Sequence, residues 1–394
     1  GSSLFSPSTS MDEKNTRPHL VWSQVVPHHH DEAPPLDKYV GTLSGITFSD
    51  NYQKLLGVGD QGDLFFFNME EESLKPTAVV ALQPLPGEEA PDTESITARC
   101  TANETLVCPQ ASLLLWVGAE KRTNTTSGIF EYSLEGTMIN RNPIPEKLFE
   151  LTSTDNANQQ VNLGFEAMAV SPDQKFILFI TEGAVLPDKD IDSTIRRLVV
   201  YKLESSDTYV YRYNTRVDKS GISELACLSK DCSLFAMIER AYYDELDKND
   251  VRVYRFSSDT SSPLKFNLNS TTLQARDVTK WVHNRTEYLE PLFGRSFVNI
   301  NSFGSLRDNY EGMCLNFDKN HLLLVTDNND NVEQRTIFAS FELDSLNLPL
   351  LSLWMFFVGV LLLLFIVRPL CVKVEVKEEE EVNRTSFLPD DDEV

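Results

Sequence analysis

Five times along this chain a small or acidic residue leads into an apolar strand pattern, a polar turn follows, and a second apolar run ends at a closing residue that is acidic. The segments are SGITFSDNYQKLLGVGDQG, ESITARC to SLLLWVGAE, FEAMAVSPDQKFILFITEG, SELACLSKDCSLFAMIER and YEGMCLNFDKNHLLLVTDN. Their opening and closing residues pair as Ser44/Asp60, Glu94/Glu120, Glu166/Glu182, Glu224/Glu239 and Glu311/Asp327. Four separations are 15 or 16 residues; the second is 26, with an insertion that holds Cys100 and Cys108. Two strands of about six residues and a turn fill the shorter length, so each unit is a hairpin. A further strand pattern follows in several units: FEYSL, RLVVYKL, VRVYRFS and TIFASFEL. Repeated units of this kind are the signature of propeller blades. The expected fold is therefore an all-β propeller with five recognisable repeats. The gap of 87 residues between the starts at 224 and 311 leaves room for a sixth blade. A β-sandwich is the rival, but it needs no regular acid-to-acid spacing. Helical periodicity is scarce, and the best short helix lies around Pro145–Leu151.

One stretch departs from this pattern. Residues Leu350–Val367 are 18 in number and carry no charge, followed by Arg368. An apolar run of this length, apolar on every face, reads as a transmembrane helix rather than a buried core helix. Trp354 near one end, and Arg368 and Lys373 beyond the other, put the C-terminus in the cytosol. The expected organisation is a flexible segment at 1–18, a propeller at 19–345, a helix at 346–368 and a cytosolic tail at 369–394. That is a type I membrane protein with its large domain lumenal or extracellular. No signal peptide is visible in GSSLFSPSTS, so the start is read as missing or processed; tail-anchor insertion is the alternative. The tail from 372 on has three basic and nine acidic residues and reads as disordered. Its terminal Asp-Glu-Val could offer a carboxylate to a peptide-binding groove, and Cys371 could carry a palmitoyl chain.

The sequons at Asn103, Asn124, Asn269 and Asn284 precede the helix and suit glycosylation of an exported domain. Cys100 with Cys108, and Cys227 with Cys232, could close short disulfides there; buried free thiols are the alternative. His28, His29 and His30 could bind a metal or simply occupy a surface loop. Lys and Arg number 35 against 59 Asp and Glu, a formal charge of −24. Such a balance argues against nucleic acid as a partner.

In a propeller the repeated acids would gather at one end of the central barrel. Up to nine carboxylates, with Ser44 in place of a tenth, would repel one another there. Bound Ca²⁺, basic residues or raised pKa values must offset this. The expected Ca²⁺ ligands are Glu166, Glu182, Glu239, Glu311 and Asp327, and the candidate basic partners are Arg99, Arg196, Arg240 and Arg335. Alternatively the acids hold blade backbones or pair with arginines as staples.

At these residues the chain resembles the phytase-like family, described as having the esterase-like activity of phytase. The resemblance rests on Asp92-Thr-Glu-Ser-Ile, Asn162-Leu-Gly-Phe-Glu-Ala-Met-Ala-Val-Ser-Pro-Asp, Arg197-Leu-Val-Val-Tyr, Ile238-Glu-Arg, Asn309-Tyr-Glu-Gly-Met and Leu324-Val-Thr-Asp-Asn-Asn, spread from about 38 to 343. It implies an exported β-propeller and leaves the chemistry open. One reading is a Ca²⁺-dependent hydrolase of a small anionic phosphoester or ester. Its catalytic candidates are Glu166, Glu239, Arg240 and Glu311, with Arg240 and Arg335 to hold the anion. The other is a non-catalytic surface or lumenal propeller that binds a protein partner. No GxSxG elbow, HExxH, phosphate-binding GxxxxGK[ST] or GxGxxG is present, although Gly41-Thr-Leu-Ser44-Gly45 comes near the first. Of the six histidines only His321 falls between the members of a repeat's acid pair.

Overall fold

The computed structural model describes residues 18–26, 40–49, 54–70, 72–84, 90–101, 112–120, 128–141, 143–145, 165–217, 219–243, 248–258, 263–267, 288–292, 296–306, 308–316, 320–328 and 335–343, with a few isolated positions between them. The segment 346–368, the tail, the four sequons, Cys108, Cys371 and His28–His30 lie outside the described residues, as does most of Pro145–Leu151. Among the described residues no helix is long and apolar enough to cross a membrane.

The strands form five antiparallel sheets. Blade 1 is β2 (Leu43–Ser49), β3 (Lys54–Gly59), β4 (Asp63–Met69) and β5 (Leu74–Ala81). Blade 2 is β6 (Asp92–Cys100), β7 (Leu113–Glu120), β8 (Gly128–Tyr132) and β9 (Met138–Asn140). Blade 3 is β10 (Phe165–Val170), β11 (Phe176–Thr181), β12 (Ile195–Lys202) and β13 (Asp207–Asn214). Blade 4 is β14 (Gly221–Cys227), β15 (Leu234–Tyr243) and β16 (Lys248–Ser257), and blade 5 is β19 (Tyr310–Asn316), β20 (His321–Thr326) and β21 (Thr336–Glu342). The span that could have held a sixth blade instead supplies outer edges. Its β17 (Leu264–Asn267) adds a fifth strand to blade 3, and its β18 (Val298–Asn299) completes blade 4. First strands touch in a closed ring, β2 to β6 to β10 to β14 to β19 and back to β2. The molecule is a five-bladed propeller.

Closure is made by a strand that the repeats do not reveal. β1 (His19–Val26) pairs antiparallel with β21, from His19 opposite Glu342 to Val26 opposite Thr336. The fourth strand of the last blade therefore comes from the start of the chain, so neither β19 nor β2 is left without a neighbouring blade.

The continuous apolar runs follow from burial on both strand faces. Along β11, Ile177 and Phe179 pack toward blade 2 while Leu178 and Ile180 pack toward blade 4. Each of the five core clusters fills one junction between adjacent blades. The hairpin turns repeat their own chemistry. Ser171 Oγ donates to Asp173 (2.7 Å) and accepts from the Phe176 amide (2.9 Å); Ser229 does the same with Asp231 (2.7 Å) and Leu234 (3.0 Å). The second of these turns is closed by the Cys227–Cys232 disulfide. Cys100 is also disulfide-bonded, and Cys314 is a buried cysteine outside any disulfide.

Candidate functional site: the acidic mouth

The inner strand of every blade carries a bulge at the same place. Pairing shifts between Leu43 and Gly45, Thr93 and Ser95, Phe165 and Ala167, Ile222 and Glu224, and Tyr310 and Gly312. The extra residues are Ser44, Glu94, Glu166, Ser223 and Glu311. A bulge re-aims the side chain it carries, and here Glu94, Glu166 and Glu311 turn into one cavity at the end of the barrel. On the second strand, the residue after the partner of Leu43, Thr93, Phe165, Ile222 and Tyr310 is Asp60, Glu120, Glu182, Arg240 and Asp327 in turn. Blade 4 thus departs from the repeat. Glu224 pairs with Ile238, 14 positions on, whereas Gly45–Val58, Ala167–Ile180 and Gly312–Val325 are 13 apart. The additional residue lies in the disulfide-closed turn. The expected pair Glu224/Glu239 is out of register by one, and the structural equivalents are Ser223 and Arg240.

Arg240 supplies the cation among the acids. Its Nη1 donates to Glu311 Oε1 and to Asn309 Oδ1, and its Nη2 lies 3.1 Å from Glu182 Oε1 and 4.0 Å from Glu166 Oε1. Asn309 Nδ2 donates to Glu311 Oε1 at 2.8 Å. The Arg240 side chain is 16% exposed. Burial alone would lower its pKa, but Glu311, Glu182 and Glu166 outweigh burial and hold it above the ordinary arginine value. Glu311 is pushed up, first by burial and then by Glu182, against the pull of Arg240. Glu182 reaches this position because residue 221 is glycine: a Cβ there would lie 2.4 Å from Glu182 Cγ. Arg196 spans the same wall, donating to the carbonyls of Glu182 (2.5 Å), Ser193 (2.8 Å), Ile195 (3.1 Å) and Ser220 (2.5 Å). Burial lowers its pKa to about 10.

The cavity above this nest is about 1060 Å³. Asp60, Glu94 and Asp327 line it with the Arg240 group, while Lys189, Lys219 and the half-exposed Tyr242 form part of its wall. Asp60 is pushed up to about 6 by burial, with Glu311 and Asp92 acting in the same direction and the Ser44 hydroxyl, which donates to it, acting against. Asn328 beside Asp327 accepts from the Thr42 amide at 2.9 Å, tying blade 5 to blade 1 under the rim.

The family described as "Phytase-like: Esterase-like activity of phytase" matches residues 38–330. The chain belongs to the phytase-like family. No curated protein matches it. Among solved structures, this phytase-like propeller is similar to hydrazine synthase from Kuenenia stuttgartiensis, at 10% identity and a TM-score of 0.36, covering 80% of this chain and 99% of the other. It is also similar to the Dos1 propeller, at 10% identity and a TM-score of 0.35, covering 79% and 69%. Scores this low carry no argument about function.

Several expected site residues of the phytase-like propeller have other work. Glu239 is fully buried and faces away from the Arg240 nest. Its Oε2 accepts from Tyr213 Oη (2.5 Å), and its Oε1 accepts from the Arg216 amide (2.7 Å), the Val217 amide and Ser220 Oγ (2.9 Å). It therefore pins the chain at Arg216, Val217 and Ser220 and is not placed as a metal ligand or catalyst. Glu224 is buried at the position that is Gly45, Ser95, Ala167 and Gly312 elsewhere, and its Oε1 accepts from the Leu225 amide at 2.9 Å. Burial raises its pKa well above the carboxylate range, against the pull of the Leu225, Met168 and Met313 amides. Arg99 sits at the far end of β6, over the Trp116 ring (4.6 Å) and 3.8 Å from Glu131, which also accepts from Trp116 Nε1 (2.7 Å). Arg335 is exposed beyond the nest, its carbonyl accepting from Thr326. Of the five expected Ca²⁺ ligands, only Glu166, Glu182 and Glu311 converge, and they converge on Arg240. Among the described residues no group of three or more His, Cys, Asp or Glu is placed to hold a metal ion. This donor set does not fit Ca²⁺ while the guanidinium holds the centre. The outlying 15-residue spacing between Glu224 and Glu239 was the sequence signal for the register change.

Proposed function

We propose that this chain is a single-pass type I membrane protein whose phytase-like propeller faces the lumen or the exterior and binds a polar ligand or a partner's polar loop at its acidic mouth. One observation carries the binding reading: the acids best placed for chemistry, Glu166, Glu182 and Glu311, are bound to one another through Arg240. A group held this way stabilises a rigid, wet cavity and is not free to bind a metal or activate water. The span Leu350–Val367 supports the membrane reading by its length and lack of charge, and the four sequons before it support export.

A second reading, ester hydrolysis, draws support from Asp60. Burial pushes its carboxyl up to about 6, it lines the cavity and it accepts from Ser44, which suits a general base. Turnover of p-nitrophenyl acetate and p-nitrophenyl phosphate by the full chain separates the two. No turnover above that of Asp60→Asn supports the binding propeller; turnover that disappears in Asp60→Asn supports hydrolysis. Alkaline carbonate extraction, with a glycosidase-induced mass shift, tests the anchor and its orientation. Release from the membrane, or an unchanged mass in eukaryotic cells, would remove that part of the proposal.

A further inference from the structure

We infer that Arg240 is a tethered replacement for a bound cation, so that the mouth of this propeller is metal-independent by construction and contains a latent divalent-cation site. The argument is one of register. Position 240 is equivalent to Asp60, Glu120, Glu182 and Asp327, so four blades place an acid where blade 4 places an arginine. The substituted residue does not leave the ring. It extends toward the bulge acids of the two neighbouring blades, Glu166 of blade 3 and Glu311 of blade 5, and meets Glu182 at 3.1 Å on the way. Three carboxylates from two blades thus converge on a guanidinium of a third. Oxygen donors gathered from separate elements around one positive charge form the arrangement a hard cation requires. Here the positive charge is covalent, cannot dissociate and ignores chelators. This inference does not depend on whether the mouth binds or hydrolyses its ligand.

The test uses the full chain, with Ca²⁺ alone as the probe, read by calorimetry and thermal melting. Wild type should give no saturable heat and the same melting temperature in Ca²⁺ and in chelator. Arg240→Gln and Arg240→Glu should gain saturable Ca²⁺ binding. Their melting temperatures should rise by roughly 5 °C at Ca²⁺ about a hundredfold above the dissociation constant. Adding Glu311→Gln to Arg240→Gln should abolish the gain. Arg240→Lys should remain insensitive to Ca²⁺. Should Arg240→Gln fail to fold without metal, Ca²⁺ during expression and refolding should rescue it. Saturable Ca²⁺ binding by wild type that Glu311→Gln removes would overturn the inference. So would a folded Arg240→Gln or Arg240→Glu that Ca²⁺ leaves unchanged, or an unfolded Arg240→Gln that Ca²⁺ does not rescue.

Discussion

Replacing Glu239 with alanine should be among the most damaging single changes in the propeller, and for a reason unrelated to metal or catalysis. The carboxylate takes four hydrogen bonds, from Tyr213, Arg216, Val217 and Ser220, and is fully buried. Alanine leaves the Tyr213, Arg216 and Val217 donors without an acceptor, each at about 1–3 kcal/mol if water cannot reach it, while the Ser220 hydroxyl keeps the Val217 carbonyl at 2.6 Å. Thr215, Lys219 and Ser220 border the cavity, so some donors will rehydrate, and a loss of about 4–5 kcal/mol is the reasonable sum. For a domain of this size that is roughly 8–10 °C in melting temperature. Glu239→Gln keeps one acceptor oxygen and should lose about half as much. Thermal and urea unfolding of the full chain, with and without chelator, measures both variants. A drop for Glu239→Ala below about 1 kcal/mol would refute the anchoring argument. A drop seen only in the presence of Ca²⁺ would return Glu239 to the role of ligand.

Three further outcomes are expected. The folded-state pKa of Glu224 lies above its unfolded value, so its contribution is complete at pH below the unfolded pKa and is lost as pH rises through the folded one. Glu224→Gln should therefore gain melting temperature over wild type on going from pH 5 to pH 8, and parallel pH profiles would contradict this. Arg197 and Asp188, each 1% exposed, form a two-pronged pair at 2.6 and 2.8 Å that fastens the short helix α1 (Leu186–Lys189) to blade 3. Arg197→Met should cost about 3–5 kcal/mol and Arg197→Met with Asp188→Leu much less, by denaturant unfolding; a double-variant loss equal to the sum of the two single losses would mean the pair is not coupled. Removing residues 1–26 deletes β1 and bares the edge of β21, so cooperative unfolding should disappear, and a truncated chain that still melts sharply would show that blade 5 closes without it.

The fold was legible because burial on both faces leaves a plain trace in the amino-acid sequence. FILFIT and HLLLVT carry unbroken apolar runs, and the turn residues between runs mark the hairpins. Closure by β1 was not legible. HLVWSQVV is a single short strand with no hairpin partner beside it, and nothing local shows that its neighbour is more than 300 residues away. Convergence of the acids at one mouth followed from repeat spacing, and for Glu166, Glu182 and Glu311 it holds. The identity of the counter-charge did not follow. One inserted residue in a turn reverses which side chains face the barrel end, so Glu224 and Glu239 were read for Ser223 and Arg240. Arg99 looked equally suitable by charge, but it lies near the Cys100 end of β6, about six residues beyond the mouth. An arginine's range is far shorter than that span.

The central claim is that Arg240 holds the mouth together electrostatically. A double-mutant cycle between Arg240→Met and Glu311→Gln measures this directly, because it isolates the coupling from the loss of each side chain alone. The account predicts a favourable coupling of about 2–3 kcal/mol in unfolding free energy, as expected for a partly buried, hydrogen-bonded pair. It also predicts that the deficit of Arg240→Met narrows as pH falls, since carboxylates without their cation take up protons more readily in the folded state. Additive single-mutant effects with no change in pH dependence would contradict it.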